Sequence, residues 1–137
     1  MIEYLFINAS NSALLAQLNA LYRDAGWWGD GPDDPGHITD IINKSHCFLV
    51  AMASDKIVGM GRVISDGVSD SYIQDVTVSS DWRGQGIATE IVRLLVERLK
   101  GEGLNWIALI AESGTQSFYK ALGFKEMKNA TPLKFEE

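Results

Sequence analysis

The feature that most constrains this chain is an apolar strand that runs through a glycine-bearing turn into an amphipathic helix. Residues 72–78 are rich in β-branched and aromatic side chains, which favour extended structure. After Gly84 and Gly86 the period changes to that of a helix. One apolar stripe then contains Ile87, Ile91, Leu94, Leu95 and Leu99. This order predicts a strand, a tight turn and a helix that ends near residue 100.

The start of such a helix is suited to binding a phosphate group. Its first N–H groups lack partners within the helix and lie at the positive end of the helix dipole. Gly84 and Gly86 would let a phosphate approach the backbone, and Arg83 adds a cation. The glycines alone are equally consistent with a tight turn before a packing helix. A nucleoside triphosphate loop is disfavoured because no Gly-Lys-Ser/Thr ending follows, and Thr89 replaces the third glycine of a dinucleotide fingerprint.

The composition narrows the class of protein and its partners. At 137 residues, with 46% hydrophobic and 22% charged residues, we expect one globular domain, residues 1–137. No apolar run approaches the ~20 residues needed to cross a bilayer, and residues 1–4 lack the start of a signal peptide. The single Cys47 lies in an apolar run, so we expect a buried thiol and a cytoplasmic location.

The net charge and the spacing of possible metal ligands indicate which partners the chain can bind. A net charge of −6 disfavours nucleic acid and is compatible with a cationic amine substrate. His37 and His46 have no second ligand at metal spacing, so no metal is expected. A membrane partner is not expected either, and a homodimer is compatible with the sequence.

Periodicity and turn residues predict the remaining elements. Strands are expected at residues 2–7, 47–53, 56–64 and 104–111, and final strands at 124–127 and 132–135; helices are expected at 12–23, 37–44 and 115–122, the first capped by Asn11 or Ser12. The nearly all-apolar run 104–111 is typical of a strand buried on both faces beside a parallel neighbour. The chain therefore predicts an α/β fold with one parallel strand–helix–strand unit.

A loop at residues 25–36 contains two adjacent tryptophans, Trp27 and Trp28, among glycines and acids. One interpretation is that an indole ring covers the core. The other is that the loop forms the lip of a substrate site, with an aromatic wall and nearby acids.

Two motifs resemble those of the GNAT acetyltransferase superfamily. Arg83, Gly86 and Ala88 match the pattern Arg/Gln-x-x-Gly-x-Gly/Ala, and residues 118–124, Phe-Tyr-Lys-Ala-Leu-Gly-Phe, match Phe/Leu-Tyr-x-x-Leu/Phe-Gly-Phe. The resemblance covers roughly residues 45–125. It implies a mixed, mostly antiparallel sheet with about four helices. Its central parallel strand pair would splay apart and admit the pantetheine arm of acetyl-CoA.

The resemblance also implies roles for individual residues. Backbone groups of Val76 and Val78 would contact pantetheine. The pyrophosphate would bind at the turn and the start of the helix, which comprise Arg83, Gly84, Gln85, Gly86, Ile87, Ala88 and Thr89. Tyr119 would be the general acid that protonates the leaving coenzyme A thiolate. The alternative for Tyr119 is an aromatic core residue beside Phe118.

The general base is less determined. Family members place a base at the positions of Tyr72 or Gln74, neither of which is a useful base near neutral pH. Asp75 would be the base if a bulge turned it to the face of Gln74. A water relay, or an amine that arrives neutral, are the alternatives.

The acceptor site is expected to include Trp27, Trp28, Gln74 and Glu112. Glu112 stands where the family commonly has asparagine, and a glutamate there resembles the arylalkylamine acetyltransferases. Residues 61–67 and 73–76 are similar to those of plant serotonin-type enzymes. The resemblance thus implies an acetyl-CoA-dependent N-acetyltransferase whose acceptor, a small primary amine, attacks directly in a ternary complex. A non-catalytic acyl-CoA sensor and an enzyme for protein amines are the alternatives.

Overall fold

A computed structural model describes residues 1–8 and 12–137, and its centre is a five-stranded mixed sheet. The strands are β1 (Ile2–Ile7), β2 (Cys47–Ala53), β3 (Lys56–Ser65), β4 (Asp70–Val78) and β5 (Trp106–Ala108). The helices are α1 (Ser12–Asp24), α2 (Pro35–Lys44), α3 (Ile87–Gly101) and α4 (Gln116–Ala121), with a 3₁₀ turn at Ser80–Trp82. The predicted α/β class with four helices is confirmed for the described residues. The predicted cap at Asn11 lies outside them, and Ser12 is the first described residue of α1.

The sheet has the order β1-β2-β3-β4-β5. The first three pairs are antiparallel, and β4 pairs with β5 in parallel. That parallel pairing covers only residues 70–72 against residues 106–108. Beyond Tyr72 the two strands have no ladder pairing with each other, which confirms the predicted splay.

Helices cover both faces of the sheet, and β2 shows how the sequence produces this. Its side chains alternate between two apolar clusters, because successive residues of a strand point to opposite faces. Leu49 and Ala51 pack in a cluster with α3, whereas Phe48 and Val50 pack in a cluster with α1 and α2. A strand that is covered on both sides is apolar throughout, as residues 47–53 are.

The end of the chain differs from the prediction. The strand expected at residues 104–111 contains only β5, and it is not buried on both faces, since the exposed fractions of Trp106 and Ile110 are 41% and 70%. Residues 124–127 and 132–135, which the structure describes, do not form the expected strands. Asn129 has a φ of +60°, which turns the chain, and Pro132 has no N–H for a ladder. Without those strands β5 is the last strand of the described sheet, so the parallel pair lies at its edge rather than its centre.

No helix within residues 1–8 and 12–137 combines the length and apolar character needed to span a membrane.

Candidate active site

A cavity of about 320 Å³ lies where β4 and β5 separate. It is lined by Trp27, Ile73, Gln74, Asp75, Val76, Leu109, Ile110, Glu112, Thr115 and Tyr119. Both predicted catalytic residues, three of the four predicted acceptor residues and one predicted pantetheine contact therefore meet in one place. Among the described residues, no three His, Cys, Asp or Glu side chains are grouped so that they could hold a metal ion.

A β-bulge in β4 brings Gln74 and Asp75 to the same cavity. Met60 pairs with Thr77 and Arg62 pairs with Gln74, so that Gly61 alone faces two residues of β4, Asp75 and Val76. Asp75 has a φ of +58°, in the left-handed region. A bulge interrupts the alternation of side chains along a strand. The bulge that the sequence analysis required for Asp75 to share a site with Gln74 is therefore present.

The carboxylate of Asp75 is held by two side chains from other elements. Its Oδ2 accepts hydrogen bonds from Arg62 Nε and from the Tyr22 hydroxyl, each at 2.6 Å. Arg62 Nη1 also donates to Ser45 Oγ at 3.2 Å. Burial of the ring, and then the charge of Asp75, raise the pKa of Tyr22 well above its ordinary value of 10.0, so Tyr22 stays protonated and acts as a donor.

Sequence reasoning missed Tyr22 and Arg62, although Tyr22 gave a signal. It follows Leu14 and Leu18 at four-residue spacing, so it lies on the apolar stripe of α1 and brings a hydroxyl into the core. A buried hydroxyl requires a hydrogen-bond partner, but the sequence alone does not show which one.

The two tryptophans of the loop have different surroundings. The Trp27 indole N–H donates to Glu112 Oε1 at 2.7 Å, and both residues line the cavity. Trp28 is not among the lining residues; its ring is stacked on Tyr22 with centroids 4.2 Å apart. Both rings also pack against the cluster under α1 and α2. The position of Trp27 fits the lip interpretation, and that of Trp28 fits the core interpretation.

The same loop is fastened to the end of α1. Arg23 Nε donates to the Gly29 carbonyl at 3.1 Å, and its guanidinium also contacts the Gly31 carbonyl and the Asp33 carboxylate. At the far end of the loop, Asp34 Oδ1 accepts from the His37 N–H at 3.1 Å and caps α2. Polar contacts from Arg23 and Asp34 therefore hold the loop at both of its ends.

Tyr119 lies on α4 and faces the cavity from the side of β5. Its ring makes edge contacts with Phe118 and Phe124, at centroid distances of 4.9 and 5.8 Å. Burial, and then the charge of Glu112, raise the pKa of the Tyr119 phenol above 10.0. The phenol is therefore protonated at neutral pH and is able to donate a proton.

The turn before α3 has the geometry of an anion site. Gly84 and Gly86 have φ values of +77° and +82°, and a Cβ at either position would meet open space. The first helical bond runs from the Glu90 N–H to the Gly86 carbonyl at 3.1 Å, so the preceding N–H groups have no acceptor within the helix. Ile87 is buried and offers only its backbone. The residues of this turn fit a pyrophosphate.

The charge of Arg83 is shared within the protein. Arg83 Nε donates to the Val78 carbonyl at 3.0 Å, and its Nη2 lies 3.6 Å from Asp24 Oδ2. Asp24 also accepts from the Ser80 N–H at 3.1 Å and from the Ser80 hydroxyl at 2.6 Å. The last turn of α1 thus contacts the turn before α3 as well as the loop at residues 25–36.

A splayed parallel pair, a glycine turn before a helix and a tyrosine in the gap define a class of acyl-transfer enzymes. Residues 14–124 match the model of the acetyltransferase (GNAT) family, and the chain belongs to that family. The resemblance of the two motifs is thereby confirmed. The chain is an N-acetyltransferase of the GNAT type, a family that uses acetyl-CoA.

Known relatives agree with this assignment. An uncharacterised N-acetyltransferase, ycf52, of Porphyra purpurea is 33% identical over 124 residues, which are 87% of this chain and 69% of that protein. The chloroplastic serotonin N-acetyltransferase 2 of Oryza sativa subsp. japonica is 37% identical over 67 residues, which are 49% of this chain and 34% of that protein. The GNAT family acetyltransferase SP0256 of Streptococcus pneumoniae TIGR4 has the same fold, with a TM-score of 0.82, 21% identity and coverage of 100% of this chain and 98% of that one.

Proposed function

We propose that this enzyme transfers the acetyl group of acetyl-CoA to the primary amine of a small molecule. The observation that carries the proposal is the meeting of Tyr119, Glu112 and Trp27 in a cavity of about 320 Å³ at the splay of β4 and β5. The cavity contains a proton donor, a carboxylate and an aromatic wall. Its size suits a small molecule.

The donor would bind from the side of α3. The pyrophosphate would accept hydrogen bonds from the free N–H groups of the turn, which include those of Gly86, Ala88 and Thr89. Arg83 would add its charge, with Gly84 and Gln85 completing the turn. Backbone groups of Val76 and Val78 would contact the pantetheine arm, because no strand among the described residues pairs with that part of β4 on its β5 side.

The acceptor would bind between the loop and α4. Glu112 places a carboxylate in the cavity, which attracts an ammonium group before it loses its proton. The Trp27 ring offers an apolar face to the rest of the acceptor. The similarity to a serotonin N-acetyltransferase supports an aromatic amine as the first compound to test.

In the transfer step the neutral amine attacks the thioester carbonyl, and the carbon–sulfur bond then breaks. The sulfur leaves as a thiolate and takes a proton from the Tyr119 phenol. The nitrogen of the new amide gives its extra proton to water, and the Tyr119 phenolate regains a proton from water, so the net products are the acetylated amine and coenzyme A. A backbone N–H near Val76 would stabilise the oxyanion. No covalent enzyme intermediate is needed.

A coenzyme A release assay with acetyl-CoA and a panel of amines tests the function. We expect release with at least one small arylalkylamine. Absence of release with every small amine, in a protein that binds acetyl-CoA, would overturn the proposal in favour of a sensor or a protein acceptor.

Tyr119→Phe tests the proposed general acid. The ring packing is kept, so we expect kcat to fall by ~10²–10⁴-fold, the typical contribution of a positioned acid. The affinity for acetyl-CoA, measured by calorimetry, should be nearly unchanged. Tyr4→Phe is the matched control, because Tyr4 lies on β1, outside the lining of the cavity. Equal kcat values for the two variants, where chemistry limits the rate, would remove the acid role of Tyr119.

A further inference from the structure

We propose that Asp75 is a positioning residue, which holds the bulge of β4 in place through Arg62 and Tyr22 and does not take the proton from the amine. The inference rests on the proposed acetyl transfer, because the bulge forms one wall of that cavity. It assigns a joint role to two residues, Arg62 and Tyr22, and a different role to Asp75 from that of a general base.

The backbone at Asp75 needs support. Within residues 1–8 and 12–137, three residues other than glycine have a positive φ: Ser54, Asp75 and Asn129. Ser54 lies in the turn between β2 and β3, and Asn129 lies in the chain after α4, so Asp75 is the one that is inside a strand. A left-handed residue in a strand persists where its surroundings hold it.

The supporting contacts come from two other elements. Arg62 lies on β3, and Tyr22 lies on α1 with 2% of its surface exposed. Both donate to the same atom, Asp75 Oδ2, at 2.6 Å. The Arg62–Asp75 pair is largely buried, with exposed fractions of 17% and 21% for the two side chains. A hydrogen-bonded ion pair in such a place fixes geometry more firmly than one in water.

The two contacts give the carboxylate of Asp75 a structural use. Its Oδ2 atom already accepts from a guanidinium and from a phenol, so this oxygen is occupied within the protein. The oxygen that receives both hydrogen bonds therefore serves to hold the strand, and this role requires an acceptor at that position.

The bulge matters to the reaction because it decides which groups reach the cavity. If β4 paired with β3 without the bulge, Gln74 and Asp75 would alternate to opposite faces, and the register of Val76 would shift. Tyr22 also contacts both tryptophan rings, with centroid distances of 6.0 Å to Trp27 and 4.2 Å to Trp28. Tyr22 therefore links the bulge to the loop at residues 25–36.

A comparison of Asp75→Asn with Asp75→Ala separates positioning from proton transfer. Asparagine keeps an oxygen acceptor and tolerates a positive φ. Alanine has no acceptor in its side chain and adopts a positive φ less readily. We expect Asp75→Asn to keep kcat within about tenfold of the wild type, with the acid limb of its pH profile in place, and Asp75→Ala to lose more. A loss of ~10²–10⁴-fold in Asp75→Asn, with the acid limb gone, would overturn the proposal, since that is the contribution of a general base.

Arg62→Gln provides a second arm. If Asp75 were the base, loss of the guanidinium beside it would move the acid limb of the pH profile of kcat to higher pH. If Asp75 is a positioning residue, we expect Arg62→Gln to have a lower kcat and an acid limb at the same pH as in the wild type. A limb that moves upward in Arg62→Gln would therefore contradict the proposal, even if the rate also falls.

Tyr22→Phe gives a readout that does not need turnover. Phenylalanine keeps the ring that stacks on Trp28, so we expect the variant to fold. We expect the backbone amide resonances of Gln74, Val76 and Thr77 to shift in NMR spectra of Tyr22→Phe, and more so in Asp75→Ala. Unchanged resonances in both variants would overturn the role of the contacts in holding the bulge. If the wild type released no coenzyme A with any amine, the proposed function would fail while this spectroscopic result still stood.

Discussion

Gly86 combines a backbone requirement with the binding role that we propose for it. It is the last residue before α3 and has a φ of +82°, which side chains other than glycine adopt with strain. Gly103, just after α3, has the same φ, and a Cβ there would also meet open space, yet it lies at the opposite end of the helix. A side chain would cause similar backbone strain at the two positions, but only residue 86 would lie beside the pyrophosphate.

Gly86→Glu and Gly103→Glu form a matched pair of variants. Both add one negative charge and one strained residue, so similar losses of thermal stability are expected. Only the charge at residue 86 would oppose a pyrophosphate. We expect acetyl-CoA affinity, measured by calorimetry, to fall at least about tenfold in Gly86→Glu (about 1.4 kcal/mol) and to stay near wild type in Gly103→Glu. Equal affinities in the two folded variants would remove the pyrophosphate from this turn.

At the scale of elements, the contact of α3 with β3 sets where that turn lies. A Cβ at Gly59 would be 3.0 Å from Ile91 Cδ1, 3.2 Å from Ile87 Cγ2 and 3.3 Å from the Thr77 carbonyl oxygen. The helix therefore lies directly against the backbone of the strand. This close approach holds the first turn of α3 beside the end of β4.

Gly59→Ala should therefore destabilise the protein by about 1–3 kcal/mol, the usual cost of overpacking a filled core. Ile91→Val removes the Cδ1 atom that is nearest to the new methyl group. The cost of Gly59→Ala should consequently be smaller in an Ile91→Val background than in the wild type. Urea denaturation of the four proteins of this double-mutant cycle measures the difference. Strictly additive free energies of unfolding would show that the helix moves freely away from the strand.

Elements with a regular apolar period could be predicted from the sequence within two residues. The bounds of β1 and β2 agree with the prediction, and α2 begins two residues early because Asp34 caps it and Pro35 fits its first turn. The sequence overestimates the length of β5, because an apolar run does not show whether a neighbouring strand is present to pair with it. The bulge at Asp75 and its partner Tyr22 could not be predicted, since they depend on a contact between residues 53 positions apart.

At the scale of the whole molecule, Glu102 joins the end of α3 to His46, the residue that directly precedes β2. Its Oε1 lies 2.7 Å from His46 Nε2, and Arg98, which is 3.4 Å from Glu102, lies over the Phe6 ring at 4.5 Å. The pKa of Glu102 is lowered from 4.5, first by the hydrogen bond from His46 and further by the charges of His46 and Arg98. A carboxylate with a lowered pKa in the folded state stabilises the protein above its unfolded pKa. That contribution is lost as pH falls through the lowered value.

Glu102→Gln should therefore lower the melting temperature at pH 6 to 7, and the difference from wild type should shrink below about pH 4. Melting curves recorded across this range measure the effect. Glu97→Gln, which removes an exposed i,i+4 pair with Arg93 on the same helix, is the control and should differ little from wild type at any pH. A difference between Glu102→Gln and wild type that persists unchanged at pH 3 would exclude titration of Glu102 as its source.

The way in which Arg23 and Asp34 close the loop at residues 25–34 has an evolutionary consequence. Among the described residues, most of the loop's polar contacts lie within the loop or at the helix ends that border it, and the sheet and the glycine turn contribute none of them. Under the proposed function, an exchange of this segment would alter the wall that meets the acceptor and leave the donor half of the enzyme intact. Selection for a new amine would then act on ten consecutive residues while the chemistry of acetyl transfer is inherited unchanged.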